Sequence, residues 1–465
     1  MKGNTLKRSS KPSGRSEAWR ARDRKVLWHP FTQQKLWMAE EFPVIVGGKG
    51  ASLVDADGRS YLDGVSSLWC NIHGHARREI NAAMKKQLDR VAHATFLGLT
   101  NPPAIELGEK LIELAPEGLT RVFYSDNGST AVEVALKMAF QYWHQNGRPG
   151  RTKFVTLDSG YHGDTVGAMS VGGVELFHGV YKSLLFRTLR GPATYAYRCP
   201  RAKTLAECGK HCLEDLEGIL KAHAQDVAAL VVEPLIQGAG GMIVQPPGFL
   251  KALRALCDRY DVFLIADEVL TGFGRTGRMF ACEIEDVTPD FMAISKGLTG
   301  GYLPLAATLT TERVYDGFLG DFKDRKTFYH GHTYTGNPLA CAGALAAIGI
   351  FERENLLERT RTKIHLFGNL LQDFYMIDEV GDIRTCGLMA GIELVRNPET
   401  KESFPSELRL GHRVTLEARK RGVIVRPLGD TLILMPPLVI SDRDLGRLVS
   451  VVAESTRAAI ASVTS

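Results

Sequence analysis

The sequence predicts an α/β fold: a mostly parallel central sheet with helices on both faces, joined to a smaller α+β unit. Three observations predict it. First, from about residue 80 to about residue 300, short continuous apolar runs alternate with runs of helical period, the pattern of strands buried on both faces of a parallel sheet. Second, the chain has 465 residues with 44% hydrophobic and 23% charged, an ordinary composition for a large domain with a smaller partner. A domain of about 300 residues buries about 75% of its unfolded surface and needs no covalent staples. Third, the pattern changes near residue 350, where a long helical run is followed by apolar segments broken by glycine and proline.

The elements follow in order. Residues 1–25 hold nine Lys/Arg against two acids, a net of 9 − 2 = +7, so the remaining chain carries 5 − 7 = −2 of the overall +5. This basic head has no apolar core, so it is not a secretory signal, and it reads as a disordered, solvated tail. Residues 26–66 form a segment expected to join the small domain. Two short apolar runs there flank Asp57-Gly58, a hairpin signal. Residues 67–350 make the large domain. "REINAAMKKQLDRV", "PPAIELGEKLIELA", "STAVEVALKMAFQYW" and "PGFLKALRALCDRY" have helical spacing, while "TRVFYSD", "TKFVTLD", "VAALVVEPL", "VFLIADEV" and "FMAISKG" read as buried strands. Residues 351–465 form the small domain, with "LLERTRTKIHLFGNLLQDF" as helix and "IRTCGLMAGIELV" and "DTLILMPPL" as strands.

Composition excludes several classes. The body of the chain has no basic excess, so nucleic-acid binding has no support. The apolar stretch Leu339 to Phe351 is too short and too rich in glycine to span a membrane. Eight scattered cysteines do not make a disulfide scaffold and point to a reducing, cytoplasmic setting.

Four features then occur in order, each where a predicted strand ends or a helix begins, the place at which open α/β sheets bind ligands. Gly128 and Ser129 open a helix directly after a strand; free amides and the positive helix end suit an anion, although a plain N-cap would read the same way. Tyr161, in "SGYHGDT", is placed to lay its ring over a flat ligand. Asp267 emerges with Glu268 from an apolar strand, and such a carboxylate is costly unless paired, for instance with a protonated ring nitrogen, a metal or an arginine. Lys296 ends another apolar strand, before Gly297, Gly300 and Gly301. A desolvated lysine has a lowered pKa and can form Schiff bases.

An anion cradle, a stacking ring, a buried acid and a buried lysine are what pyridoxal phosphate requires. With "ADEVLTGFGRTG" followed by "SKGLTGG", the chain resembles the class III aminotransferases of pyridoxal-phosphate fold type I, from about residue 28 to about residue 455. "LWHPFTQ", "SLWCNIHGH", "GYHGDT" and "EPLIQGAGGM" are similar to the branch that transaminates 8-amino-7-oxononanoate to 7,8-diaminononanoate in biotin synthesis. The resemblance implies that Lys296 bears the cofactor and moves the proton, that Asp267 faces the ring nitrogen, that Gly128 and Ser129 hold the phosphate, and that Tyr161 stacks on the ring and touches substrate. It further implies that Trp69 lines the substrate channel and that Arg426 holds a substrate carboxylate. Thr333 matches a threonine that completes the phosphate site of a second subunit, so a homodimer with shared sites is expected. Gly331 and His332 match its neighbours, with His332 where the better-known pattern has proline. Phe31 stands where enzymes using S-adenosylmethionine carry tyrosine; phenylalanine there resembles a branch that takes its amino group from lysine.

Two other readings fail on context. "GFGRTG" at 272–277 spells a dinucleotide motif, but Asp267 and Glu268 intervene after the strand and no βαβ unit surrounds it. Cys199, Cys208, His211 and Cys212 match no common zinc spacing and read as a surface insertion with free thiols. Cys70, His73 and His75 are explained by packing or channel lining.

Overall fold

In the computed structural model, which describes residues 14–464, seven strands form the central sheet. Their order across the sheet is Leu119–Ser125, Ala306–Thr311, Phe291–Ile294, Phe263–Asp267, Val227–Val232, Lys153–Leu157 and Leu189–Gly191. Only Ala306–Thr311 runs antiparallel to its neighbours; all other pairings are parallel. Every residue of Val227–Val232, Phe263–Asp267 and Phe291–Ile294 is buried, the reason these runs lack polar alternation. Helix Gly128–Gln145 packs with Phe154, Phe263 and Phe291 on one face. Helices Leu205–His223 and Phe249–Tyr260 cover the other with Val155, Leu230 and Leu264. Strand carboxyl ends therefore meet loops and helix starts along one edge.

Towards the C-terminus, Val380–Thr385, Ala390–Leu394, Thr431–Leu434 and Arg426–Leu428 form an antiparallel sheet. The N-terminal meander Ile45–Lys49, Ser52–Asp55 and Ser60–Asp63 pairs with Val423–Ile424, so the start of the chain is hydrogen-bonded to its end. Arg275, fully buried, ties the two together: its guanidinium donates to Pro436 O (2.5 Å), Ser66 Oγ (2.9 Å) and Asn71 O (3.4 Å).

Two expectations are corrected. The head expected as disordered over 1–25 is helical over Arg15–Val26, with residues 1–13 lying outside the described residues. Arg20 is buried and its Nε donates to Phe42 O at 2.8 Å, Arg24 donates to Glu40 O at 3.0 Å, and Asp23 accepts from Trp37 Nε1 at 3.1 Å. Charges that look solvated in sequence are satisfied by a segment some twenty residues on. The cysteine segment is also not a surface insertion. Cys208 and Cys212 sit one turn apart on the inner face of helix Leu205–His223, at 0% and 2% exposure. Among the described residues, no helix is long and apolar enough to cross a membrane.

Candidate active site

Along the carboxyl edge of the sheet lies a cavity of about 680 Å³, lined by Trp69, Gly128, Ser129, Tyr161, Asp267 and Lys296 among others. Asp267 is the last residue of its strand, and Lys296 comes two residues after the end of the adjacent parallel strand. Strand alternation turns Asp267 to the cavity and sends Glu268 away from it. Glu268 is fully buried, accepting from Thr271 Oγ1 (2.5 Å) and Cys282 N (2.8 Å).

Lys296 is part of the lining of this cavity. Among the described residues it makes no ion pair; its Nζ lies 5.3 Å from the centre of the Trp69 ring. Burial pulls its pKa below the ordinary lysine value, against the opposing charge of Asp267. Its backbone is left-handed, φ +43°, a strained state for a residue with a Cβ. Asp267 is 3% exposed. Its Oδ1 accepts from Val269 N at 3.1 Å, and its Oδ2 pairs with His162 Nδ1 at 2.7 Å. Burial depresses the His162 imidazole, but its hydrogen bond to Asp267 together with the charges of Asp267 and Glu233 outweighs burial and raises its pKa. The imidazole therefore fixes one oxygen of the carboxylate and leaves lone pairs of the other side free for a cationic group.

Helix Gly128–Gln145 begins at the cavity wall with its dipole pointing inward. Its capping box consumes the Thr130 amide (Asn127 Oδ1, 3.1 Å), while the first helical amides have no intrahelical partner. Space here is made by missing side chains. A Cβ on Gly128 would come within 2.6 Å of Val269 Cγ1, and one on Gly163 would collide with Ser129. Ser129 Oγ and Thr165 Oγ1 share a hydrogen bond of 2.7 Å beside them. The result is an anion cradle at a helix start, with hydroxyls around it.

Tyr161 sits on the loop after strand Lys153–Leu157 and donates to Asp164 Oδ2 at 2.8 Å. Burial and that carboxylate push its phenol well above the ordinary range, so it remains a neutral donor. Trp69 is placed by an unusual device: Ser66, Ser67, Leu68 and Trp69 all have positive φ (49°, 42°, 66° and 71°), a single left-handed turn. Asp63 holds it by accepting from Ser67 N (2.9 Å) and Ser67 Oγ (2.8 Å). The indole Nε1 is buried and has no hydrogen-bond partner among the described residues.

Four elements of the cavity thus fit pyridoxal phosphate: an unpaired lysine, a buried carboxylate, an anion cradle that a Cβ would fill, and flat aromatic walls. The other sequence candidates lie outside the cavity lining. Phe31 is 55% exposed; it meets Phe177 edge-on at 5.2 Å, and Phe177 meets Tyr161 edge-on at 6.1 Å, an aromatic path from surface to cavity. Arg426 donates to Phe31 O at 3.4 Å and makes no ion pair among the described residues. Gly331 and Thr333 are exposed on the loop before helix Pro338–Arg353, and His332 stands 3.7 Å from Asp126 at the rim.

Sequence reasoning missed His162, Glu233 and Phe177. The fully buried Glu233 accepts from Tyr161 N (3.0 Å) and Gly238 N (2.8 Å), and burial pushes its carboxyl up to about 7. His162 had a signal: a buried Asp267 demanded a partner, and a histidine adjoins Tyr161. Phe177 had none, because it comes from a four-residue helix, Glu175–His178, too short to carry a periodic pattern.

The model of the family "Aminotransferase class-III" matches residues 37–455. The chain is 56% identical to the adenosylmethionine-8-amino-7-oxononanoate aminotransferase of Geobacter sulfurreducens over 428 residues, covering 92% of this chain and 94% of that one. It is 54% identical to the protein of the same name from Nitratidesulfovibrio vulgaris, covering 97% and 83%. Among solved structures, the adenosylmethionine-8-amino-7-oxononanoate aminotransferase of Methanocaldococcus jannaschii superposes with a TM-score of 0.91 at 45% identity, covering 95% and 99%. A PLP-bound amine transaminase from an uncultivated Pseudomonas species gives 0.88 at 38% identity, covering 93% and 98%.

Proposed function

The chain belongs to the class III aminotransferases, and from that premise we propose that it uses pyridoxal phosphate to move an amino group from S-adenosylmethionine to 8-amino-7-oxononanoate, yielding 7,8-diaminononanoate. The observation that carries the chemistry is Lys296, unpaired and desolvated, sharing one cavity with Asp267. The substrate reading rests on relatives at 45–56% identity that bear the corresponding name.

When bound, the cofactor supplies an electron sink next to the nitrogen being transferred. The chain's own groups do the rest. Lys296 Nζ, with its lowered proton affinity, accepts and returns the proton at the reacting carbon. Asp267, oriented by His162, would hold the cofactor's ring nitrogen. Gly128 and Ser129 offer amides to the phosphate, and Trp69 and Tyr161 wall off water. The guanidinium of Arg426, hydrogen-bonded to Phe31 O and in no ion pair among the described residues, suits the terminal carboxylate of a long aliphatic acceptor. Thr333, exposed and outside the lining of its own cavity, fits completion of a partner's phosphate site, so the active unit on this reading is a homodimer.

One observation favours a second donor. Phe31 offers no hydroxyl where a tyrosine would bind a polar donor, which suits L-lysine. A hydrogen bond contributes about 0.5–1.5 kcal/mol, up to 3 to a charged group, so Phe31→Tyr should change the ratio of the two donors' rates by roughly 10–100-fold. The test mixes holoenzyme with each donor alone and follows the loss of cofactor absorbance, in wild type and Phe31→Tyr. Faster reaction with S-adenosylmethionine supports the first donor, faster reaction with lysine the second. An unchanged ratio in the variant means that Phe31 does not set the choice.

A further inference from the structure

Away from the cavity, three thiols converge on the far face of the sheet. Cys208 and Cys212 lie one turn apart on helix Leu205–His223, and Cys199 ends the short 3-10 turn Ala196–Arg198 and packs against the same apolar cluster. Cys208 is the central member: Cys199 and Cys212 are both near enough to raise its thiol pKa further, beyond the effect of burial. Cys212 Sγ donates to Ala193 O at 3.4 Å, so of the two helical thiols Cys208 is the one without a backbone acceptor among the described hydrogen bonds. Cys199 alone of the three is partly exposed. The Arg201 guanidinium, paired with Asp215, lies beside Cys199 and Cys212. Among the described residues no group of His, Cys, Asp or Glu is arranged to hold a metal ion, so thiol chemistry is what this cluster offers.

We propose that Cys199 and Cys208 form a reversible, peroxide-sensitive dithiol pair that closes to a disulfide. Cys199, reached from solvent, gives two electrons to hydrogen peroxide and becomes a sulfenic acid, releasing one water. The Cys208 thiol then attacks that sulfur; the S–O bond breaks, the proton of Cys208 leaves with the hydroxyl as a second water, and the S–S bond forms. Overall, two thiols and one peroxide give one disulfide and two waters. Burial raises the thiol pKa of both helical cysteines, that of Cys212 to about 11, which keeps them from initiating the oxidation and confines Cys208 to the resolving step, where proximity replaces intrinsic reactivity.

The bond would have a mechanical consequence. The residue before Cys199 clamps the C-terminal sheet: Arg198 binds Glu393 (Nε–Oε1 2.7 Å) and donates to Lys401 O at 2.9 Å, and Tyr195 OH also binds Glu393. Glu393 in turn meets the buried Arg384 at 2.7 Å, which reaches Gly241 O at 2.8 Å. A Cys199–Cys208 bridge staples this clamp to the helix on the central sheet, and it restricts the unfolded chain by a short loop.

The test treats the holoenzyme with a few equivalents of hydrogen peroxide, blocks remaining thiols with iodoacetamide, and maps peptides by mass with and without dithiothreitol. The expected result is a Cys199–Cys208 cross-linked peptide that dithiothreitol removes, with a thermal midpoint raised by several degrees. Both effects should vanish in Cys199→Ser, whose untreated activity should match wild type. Over-oxidation of Cys199 without a cross-link, a cross-link that omits Cys208, or the same rise in midpoint in Cys199→Ser would each overturn the proposal.

Discussion

Lys296→Ala should lose at least about 10⁴-fold in turnover, the upper range for removing a positioned proton-transfer group, and should no longer hold the cofactor covalently. The loss is expected to fall on chemistry and not on folding. Lys296 makes no ion pair among the described residues, so truncation strands no buried partner charge, and it relieves an amine held below its ordinary proton affinity by burial. Borohydride treatment of wild type should leave a pyridoxyl mass on the peptide containing Lys296 and none in the variant; a label on another lysine would refute the assignment. The same variant probes the shared site. Mixed dimers of Lys296→Ala with Thr333→Gly chains build one site with both lesions and one with neither. Verified heterodimers should therefore regain activity, and their failure to do so would count against a phosphate site completed by the partner.

Asp267→Asn is expected to keep the fold and lose roughly 10²–10⁴-fold in rate, since breaking a buried charge pair costs about 3–5 kcal/mol and each 1.36 kcal/mol on the barrier is tenfold. His162 gives this variant a second signature. Its imidazole is fully buried, and the pairing that raises its pKa is with Asp267. A histidine raised in the folded state contributes stability that is complete below its unfolded value and lost as pH rises through the folded one. With Asp267 amidated that contribution disappears, so the variant's deficit in thermal midpoint should be larger in mildly acidic buffer than in alkaline buffer. A deficit independent of pH would refute the pairing with His162, and near wild-type turnover would refute the role of Asp267 in the chemistry.

Much of the fold was legible because the central strands are buried on both faces and the helices keep a regular apolar stripe. "VFLIADEV" and "FMAISKG" read as strands because no polar residue interrupts them until the carboxylate and the lysine that end them. The site's floor was legible for the same reason: an acid and a lysine at the tips of neighbouring apolar runs must converge if the runs pair in parallel. What escaped depends on contacts distant in sequence. Arg20 and Arg24 looked solvated because their acceptors, Phe42 O and Glu40 O, are backbone carbonyls of another segment. Cys208 and Cys212 looked like an exposed insertion because the preceding turn is polar, although their helix carries a buried face. The left-handed turn at Ser66–Trp69 has no glycine to announce it; Asp63 and the packing beneath it impose the conformation. Thr333, which the family resemblance implies to be a phosphate ligand, is not in the lining of its own chain's cavity, so its proposed role needs a second chain.

The most direct measurement compares acceptors under saturating donor: kcat/KM for 8-amino-7-oxononanoate against pyruvate and succinic semialdehyde, with the diamine identified by mass. On the proposed reading, the Arg426 guanidinium, hydrogen-bonded to Phe31 O and in no ion pair among the described residues, and the aromatic path from Phe31 to Tyr161 suit a long chain ending in a carboxylate. A charge-assisted contact of about 1.5–3 kcal/mol predicts a preference of roughly 10–100-fold for 8-amino-7-oxononanoate, lost in Arg426→Ala. Equal or better turnover of the short acceptors, with no 7,8-diaminononanoate formed, would contradict the account and place the chain among transaminases of another substrate class.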